Sequence, residues 1–154
     1  MSALEILIQG IITLLTFALG VLSAFAQQYY QKYRDSLKEK YFGLYRPFMQ
    51  MNSFHYMVDV APYSEWEHED QVKIVKFLAD KDYLASEALQ GSILNFIKIT
   101  TCMNYPNEAD NTEVAPMKDN AFSTLYDEMK SEYLTLSKKL NYKVTPWLEE
   151  SKGT

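Results

Sequence analysis

From Ile6 to Ala26 the chain runs 21 residues without a charge, between Glu5 and Lys32. At about 1.5 Å per residue a helix of that length covers roughly 31 Å, which matches a bilayer hydrocarbon core of about 30 Å. Any fold must give this segment an apolar environment, and a transmembrane anchor does so directly. Two other readings compete. Ala24-Phe25-Ala26 has the small-x-small form of a signal-peptidase site, but no Lys or Arg precedes the run, and it exceeds the usual signal core of about 7 to 15 residues. A buried core helix is the third reading. The chain of 154 residues leaves room for one further ordinary domain.

The flanks set an orientation. Lys32, Arg34, Lys38, Lys40 and Arg46 all follow the run, against Asp35 and Glu39, while Glu5 is the only charged side chain before it. The positive-inside rule therefore predicts a cytoplasmic C-terminal part. A single cysteine, Cys102, and the absence of an Asn-x-Ser/Thr acceptor agree with that side. Tyr29, Tyr30 and Tyr33 fall at the expected headgroup level, where amphipathic rings are favoured. The same five bases are candidates for binding the membrane surface or a small anionic ligand. With a net charge of −5, a nucleic-acid polymer is not the expected partner.

Inside the run, Gln9, Thr13, Thr16, Gly20, Ser23 and Gln27 step by 4, 3, 4, 3 and 4 residues, with Ala24 beside Gly20. That spacing places them on one helical stripe. Lipid gives helices no hydrophobic reason to associate, so small residues and cross-helix hydrogen bonds supply the contact. The stripe predicts packing against another span, as a homo-oligomer or with a protein partner; lining a pore is the narrower version. Against this stands the habit of Thr and Ser hydroxyls of bonding to their own preceding turn.

The remainder reads as helices. Three segments are expected: an anchor over 1–27, a juxtamembrane helix over 28–60 that is kinked or restarted at Pro47, and the rest of a cytoplasmic helical domain over 61–154. Ser64 and Glu67 have capping-box spacing ahead of a helix expected from about Glu65 to Ala79. A longer helix is expected from Asp82 to Asn104, then a loop from Tyr105 to Pro116 rich in Asn, Asp and Pro. Phe122, Leu125, Met129, Tyr133, Leu136 and Leu140 form one face of a last helix over Met117 to Tyr142. Phe42, Tyr45, Phe48, Met49, Met51 and Phe54 are expected in the core. The fold class is therefore all-α, a single N-terminal transmembrane helix followed by a cytoplasmic bundle of four to five helices.

Chemistry is sparse. There is no phosphate-binding glycine loop, no His-Glu-x-x-His and no Cys-x-x-Cys. Glu65, Glu67, His68, Glu69 and Asp70 suit the positive end of a helix better than a metal. Cys102, with His55 or His68, reads as a buried structural thiol rather than a nucleophile. No catalytic residue, metal or cofactor is expected. The leading expectation is a non-enzymatic, membrane-anchored module that self-associates or binds a partner at the membrane. In layout the chain is also similar to the small single-span effectors of bacterial antiviral defence. That resemblance of architecture implies the alternative, a membrane-perturbing or pore-forming effector gated through its helical domain, and carries over no residues.

Overall fold

The computed structural model describes residues 2–57, 61–102 and 111–144. Among the described residues the backbone is almost entirely helical and no strand occurs. Clustering of the backbone divides the chain between Ser36 and Leu37 into two compact units.

The first unit is most of helix α1, Ala3–Lys40, a single α-helix of 38 residues. Its start is capped reciprocally: the Ser2 N–H donates to Glu5 Oε2 at 2.7 Å, and the Glu5 N–H donates to Ser2 Oγ at 3.4 Å. The two groups thus satisfy the first free donors of the apolar helix. No residue of α1 is buried, and the large apolar side chains from Leu4 to Phe25 stand between 38% and 71% exposed. The helix is long and apolar enough to cross a membrane. Its 38 residues extend about 57 Å, well beyond a hydrocarbon core of about 30 Å.

The second unit begins with the last residues of α1. A π turn follows at Tyr41–Tyr45, then α2 (Arg46–Met57), a 3-10 turn at Tyr63–Glu65 and α3 (His68–Lys81). A second 3-10 turn at Asp82–Leu84 leads to α4 (Glu87–Cys102), and α5 spans Asn111–Leu140. Helix α5 is the centre of this unit: α4, the π turn and the first 3-10 turn all pack on it, and α3 packs on α4. Leu44, Phe48, Leu78, Ile93, Phe96, Leu125 and Met129 are fully buried. Each such side chain contributes about 1.5 to 3 kcal/mol through loss of apolar surface from water. The face of α5 expected from its spacing, Phe122 through Leu140, is buried at all six positions.

Phe122 is the hub of an aromatic cluster. Its ring stacks on Tyr63 at 4.7 Å and meets Trp66 at 4.9 Å and Phe96 at 5.6 Å. The Trp66 indole N–H donates to the Ala61 carbonyl at 3.0 Å, and Gln71 Nε2 donates to the carbonyls of Tyr63 and Trp66, both at 3.0 Å. These bonds secure residues 61–67, around the 3-10 turn, ahead of α3.

Several local expectations change. Ser64 does not cap α3, which starts at His68 after Glu67 without a side-chain cap bond. Instead its N–H and Oγ both donate to the Asp119 carboxylate on α5, at 2.7 and 2.9 Å. A tertiary acceptor has replaced the local one. Helix α4 starts at Glu87 rather than Asp82, because Ser86 supplies the cap, its Oγ accepting the Leu89 N–H at 3.3 Å. Residues 111–116, expected as loop, are the first turns of α5, with Pro116 inside the helix. Asn, Thr and Pro favour helix starts as well as loops, so composition did not separate the two. The rest of that expected loop, 105–110, lies outside the described residues.

The end of α5 follows its local signal. Asn141 adopts a left-handed backbone with φ of 58°, its N–H donates to the Lys138 carbonyl at 3.1 Å, and the Tyr142 N–H donates to the Ser137 carbonyl at 2.9 Å. This is a Schellman termination with asparagine in the place glycine usually takes. Of the expected core aromatic and methionine residues, Tyr45, Phe48 and Met49 are buried, Met51 is half-buried and Phe42 is 46% exposed. The side chains of Phe54, His55 and Cys102 lie outside the described residues.

Candidate functional site

Two features of the structure have functional character: the bare surface of α1 and the π turn that follows its last residue. On α1, Gln9, Thr13, Thr16, Gly20, Ser23, Ala24 and Gln27 are all exposed. Thr13 Oγ1 donates to the Gln9 carbonyl and Thr16 Oγ1 to the Ile12 carbonyl, each at 2.8 Å. Both hydroxyl protons are therefore used within the helix, while each oxygen keeps accepting capacity. A Cβ added at Gly20 would meet nothing within 4 Å, so close approach at that position is open to a neighbouring helix.

The basic residues separate by setting. Lys32 and Arg34 are exposed on α1, six and eight residues past Ala26, or about 9 and 12 Å along the axis. Lys38 and Lys40 are half-buried at the start of the second unit. Arg46 is exposed, with its guanidinium carbon 5.6 Å from the centre of the Phe42 ring, a cation–π distance. The acidic group around α3 is mostly solvent-facing: Glu65, Glu67, His68 and Glu69 are exposed and Asp70 half-buried. Among the described residues no group of three or more His, Cys, Asp or Glu is placed to hold a metal ion.

The π turn is built from its sequence. The Arg46 N–H donates to the Tyr41 carbonyl, five residues back. Pro47 follows, with no N–H for the Gly43 carbonyl and a ring that would crowd that carbonyl in an α-helix. Widening the preceding turn by one residue relieves both problems without breaking the chain's helical course. A Cβ at Gly43 would lie 2.6 Å from Leu84 Cδ1, so a larger residue there would push the end of that leucine side chain aside.

The side chains of the turn reach α5 and the residues just past its end. Tyr41 stacks on Tyr133 of α5 at 5.2 Å, the two hydroxyls lie 3.2 Å apart, and Tyr142 covers Tyr41 at 5.1 Å and Phe42 at 5.6 Å. The Tyr45 hydroxyl donates to one oxygen of the Glu132 carboxylate, and Ser86 Oγ donates to the other. One carboxylate thus joins the π turn to the cap of α4 from its position on α5. Burial first, then the hydrogen bond and charge of Glu132, hold the Tyr45 hydroxyl well above the ordinary phenol range. Burial alone raises Tyr63 in the same direction.

Beside Tyr142 an open surface pocket of about 670 Å³ is lined by Leu134, Ser137, Lys138, Asn141, Lys143 and Val144. Glu132, Ser86 and Asp119 were not picked out from the sequence, and Ser64 was picked out only as a local cap with Glu67. Each is a common surface residue type, and the packing of α4, the π turn and the first 3-10 turn on α5 brings them to their partners. No family model, curated protein or solved structure matches this chain.

Proposed function

We propose that this protein is a membrane-anchored, non-enzymatic helical module. Its α1 spans the bilayer, its helical bundle lies on the cytoplasmic side, and its partner is a second copy of the chain, a protein at that membrane face, or both. The observation that carries this reading is the all-round apolar exposure of α1 from Leu4 to Phe25, which in water would be a severe aggregation liability and in lipid is at home. The bases from Lys32 to Arg46 support the sidedness. The stripe from Gln9 to Gln27 supports contact between spans, since its Gly20 position leaves room for close backbone approach.

A binding rather than catalytic role is supported by the polar groups that converge on α5, which are engaged with one another: Tyr45 and Ser86 with Glu132, Ser64 with Asp119. Alkaline carbonate extraction of membranes from expressing cells tests the anchor. The protein is expected in the pellet, and release into the supernatant would overturn the reading. Detergent-corrected light scattering of the full chain then tests self-association. A defined oligomer that Gly20→Leu and Thr16→Leu reduce to monomer is expected, whereas an unaltered mass would send the contact elsewhere. Loss of membrane potential on expression would favour the effector alternative over the adaptor.

A further inference from the structure

We infer that the pocket at the end of α5 is a binding site for a small phosphorylated molecule with an apolar part. At about 670 Å³ it falls within the size range of small-ligand sites, roughly 300 to 1,000 Å³. Its walls are of two kinds. Leu134, Tyr142 and Val144 supply apolar surface, while Lys138, Asn141 and Lys143 supply hydrogen-bond donors. Ser137, the remaining lining residue, has already given its hydroxyl proton to the Tyr133 carbonyl at 2.8 Å.

The charge at the pocket is of one sign. No Asp or Glu occurs from Tyr133 to Val144, and none lines the pocket, in a chain whose net charge is −5. Glu132, the acid nearest in sequence, is bonded to Tyr45 and Ser86. Lys138 and Lys143 are both exposed, and among the described residues no carboxylate is bonded to either. A helix C-terminus favours a lysine by its dipole alone, which accounts for Lys138. It does not account for Lys143, which lies past the Schellman termination, where the Ser137 and Lys138 carbonyls are already taken by the Tyr142 and Asn141 N–H groups. The Tyr142 ring is held as a wall by Tyr41 at 5.1 Å and Phe42 at 5.6 Å, and Phe42 carries the Arg46 guanidinium at 5.6 Å. A third cation is thus joined to the pocket through two aromatic rings. A phosphate, with a charge of about −1.5 to −2 at pH 7, answers two ammonium groups at once, as a single carboxylate does not. The apolar walls take the group that carries it, which is either a free nucleotide or a lipid.

Calorimetric titration of the full chain in a neutral maltoside detergent tests the site, with AMP and dihexanoyl phosphatidic acid as the two carriers and inorganic phosphate as the anion alone. At least one carrier is expected to bind, more tightly than inorganic phosphate, and which one binds tells the two sources apart. Lys138→Gln together with Lys143→Gln should weaken that binding at least about tenfold. Lys73→Gln with Lys76→Gln removes the same charge from α3, no residue of which lines the pocket, and should leave the affinity within about twofold. The inference is overturned if neither carrier binds with a Kd below about 1 mM, or if inorganic phosphate binds as tightly as both. It is equally overturned if the Lys138 and Lys143 pair can be replaced without loss, if the α3 pair weakens binding to the same extent, or if dihexanoyl phosphatidylcholine matches the phosphatidic acid in a chain that does not bind AMP. The site lies within the bundle and goes beyond the anchoring proposal, whose failure would appear in carbonate extraction and leave these titrations untouched.

Discussion

The same hydrogen bond occurs in both units of the molecule with opposite surroundings. Thr16 on α1 donates to the Ile12 carbonyl at 2.8 Å with its side chain exposed among exposed leucines and isoleucines. Thr100 on α4 donates to the Phe96 carbonyl at 2.8 Å while only 6% exposed. In each case the hydroxyl consumes its own donor, which is what an apolar environment requires, whether protein or lipid. The difference lies in who provides that environment. The bundle folds its apolar faces inward around α5, whereas no residue of α1 is buried.

Substitutions that act on one unit and spare the other sharpen that contrast. The largest effect is expected at the aromatic hub. Phe122→Ala should lower the unfolding free energy of the bundle by about 3 to 5 kcal/mol, read by urea titration of Trp fluorescence, with no change in membrane extraction. A cost below about 1 kcal/mol would mean that the Tyr63, Trp66 and Phe96 rings close over the gap. Next comes Glu132→Ala, which strands the Tyr45 and Ser86 hydroxyls in a half-buried site and should cost about 2 to 4 kcal/mol.

Alkaline titration follows. Tyr45 and Tyr63 have folded-state values above the ordinary phenol value of 10.0, so above that pH the unfolded chain loses protons that the folded chain retains. Stability should be constant below about pH 10 and fall as the pH rises beyond it, with a shallower fall in Tyr45→Phe. Equal slopes in parent and variant would remove Tyr45 from the account.

Asn52 presents a smaller case. It is fully buried and its Nδ2 donates to the Phe48 carbonyl at 2.7 Å, but its Oδ1 has no partner among the described residues. Asn52→Leu should therefore change stability by less than about 1 kcal/mol. A loss above about 2 kcal/mol would show that the oxygen is bonded in solution. The smallest effect is expected at Thr16→Leu, which should leave bundle unfolding unchanged.

What was legible beforehand follows one rule: signals contained within a few residues could be read, and signals completed across the fold could not. The α5 face was read from spacing. The Ser64–Glu67 pair illustrates the failure, since the spacing was right but Asp119 competed successfully for the serine. The Ser2–Glu5 pair has identical spacing and does form the reciprocal cap. Among the described residues no tertiary acceptor is bonded to Ser2.

By itself the sequence determined that the chain is helical, that its first helix is long and apolar enough to cross a membrane, and that one face of the last long helix is core. These properties depend on the period of a helix and on hydropathy summed over many residues, which no later contact alters. Tertiary structure alone decided which carboxylate receives Tyr45 and which receives Ser64. Both acceptors lie on α5, far from their donors in sequence, so only packing against that helix brings them within reach.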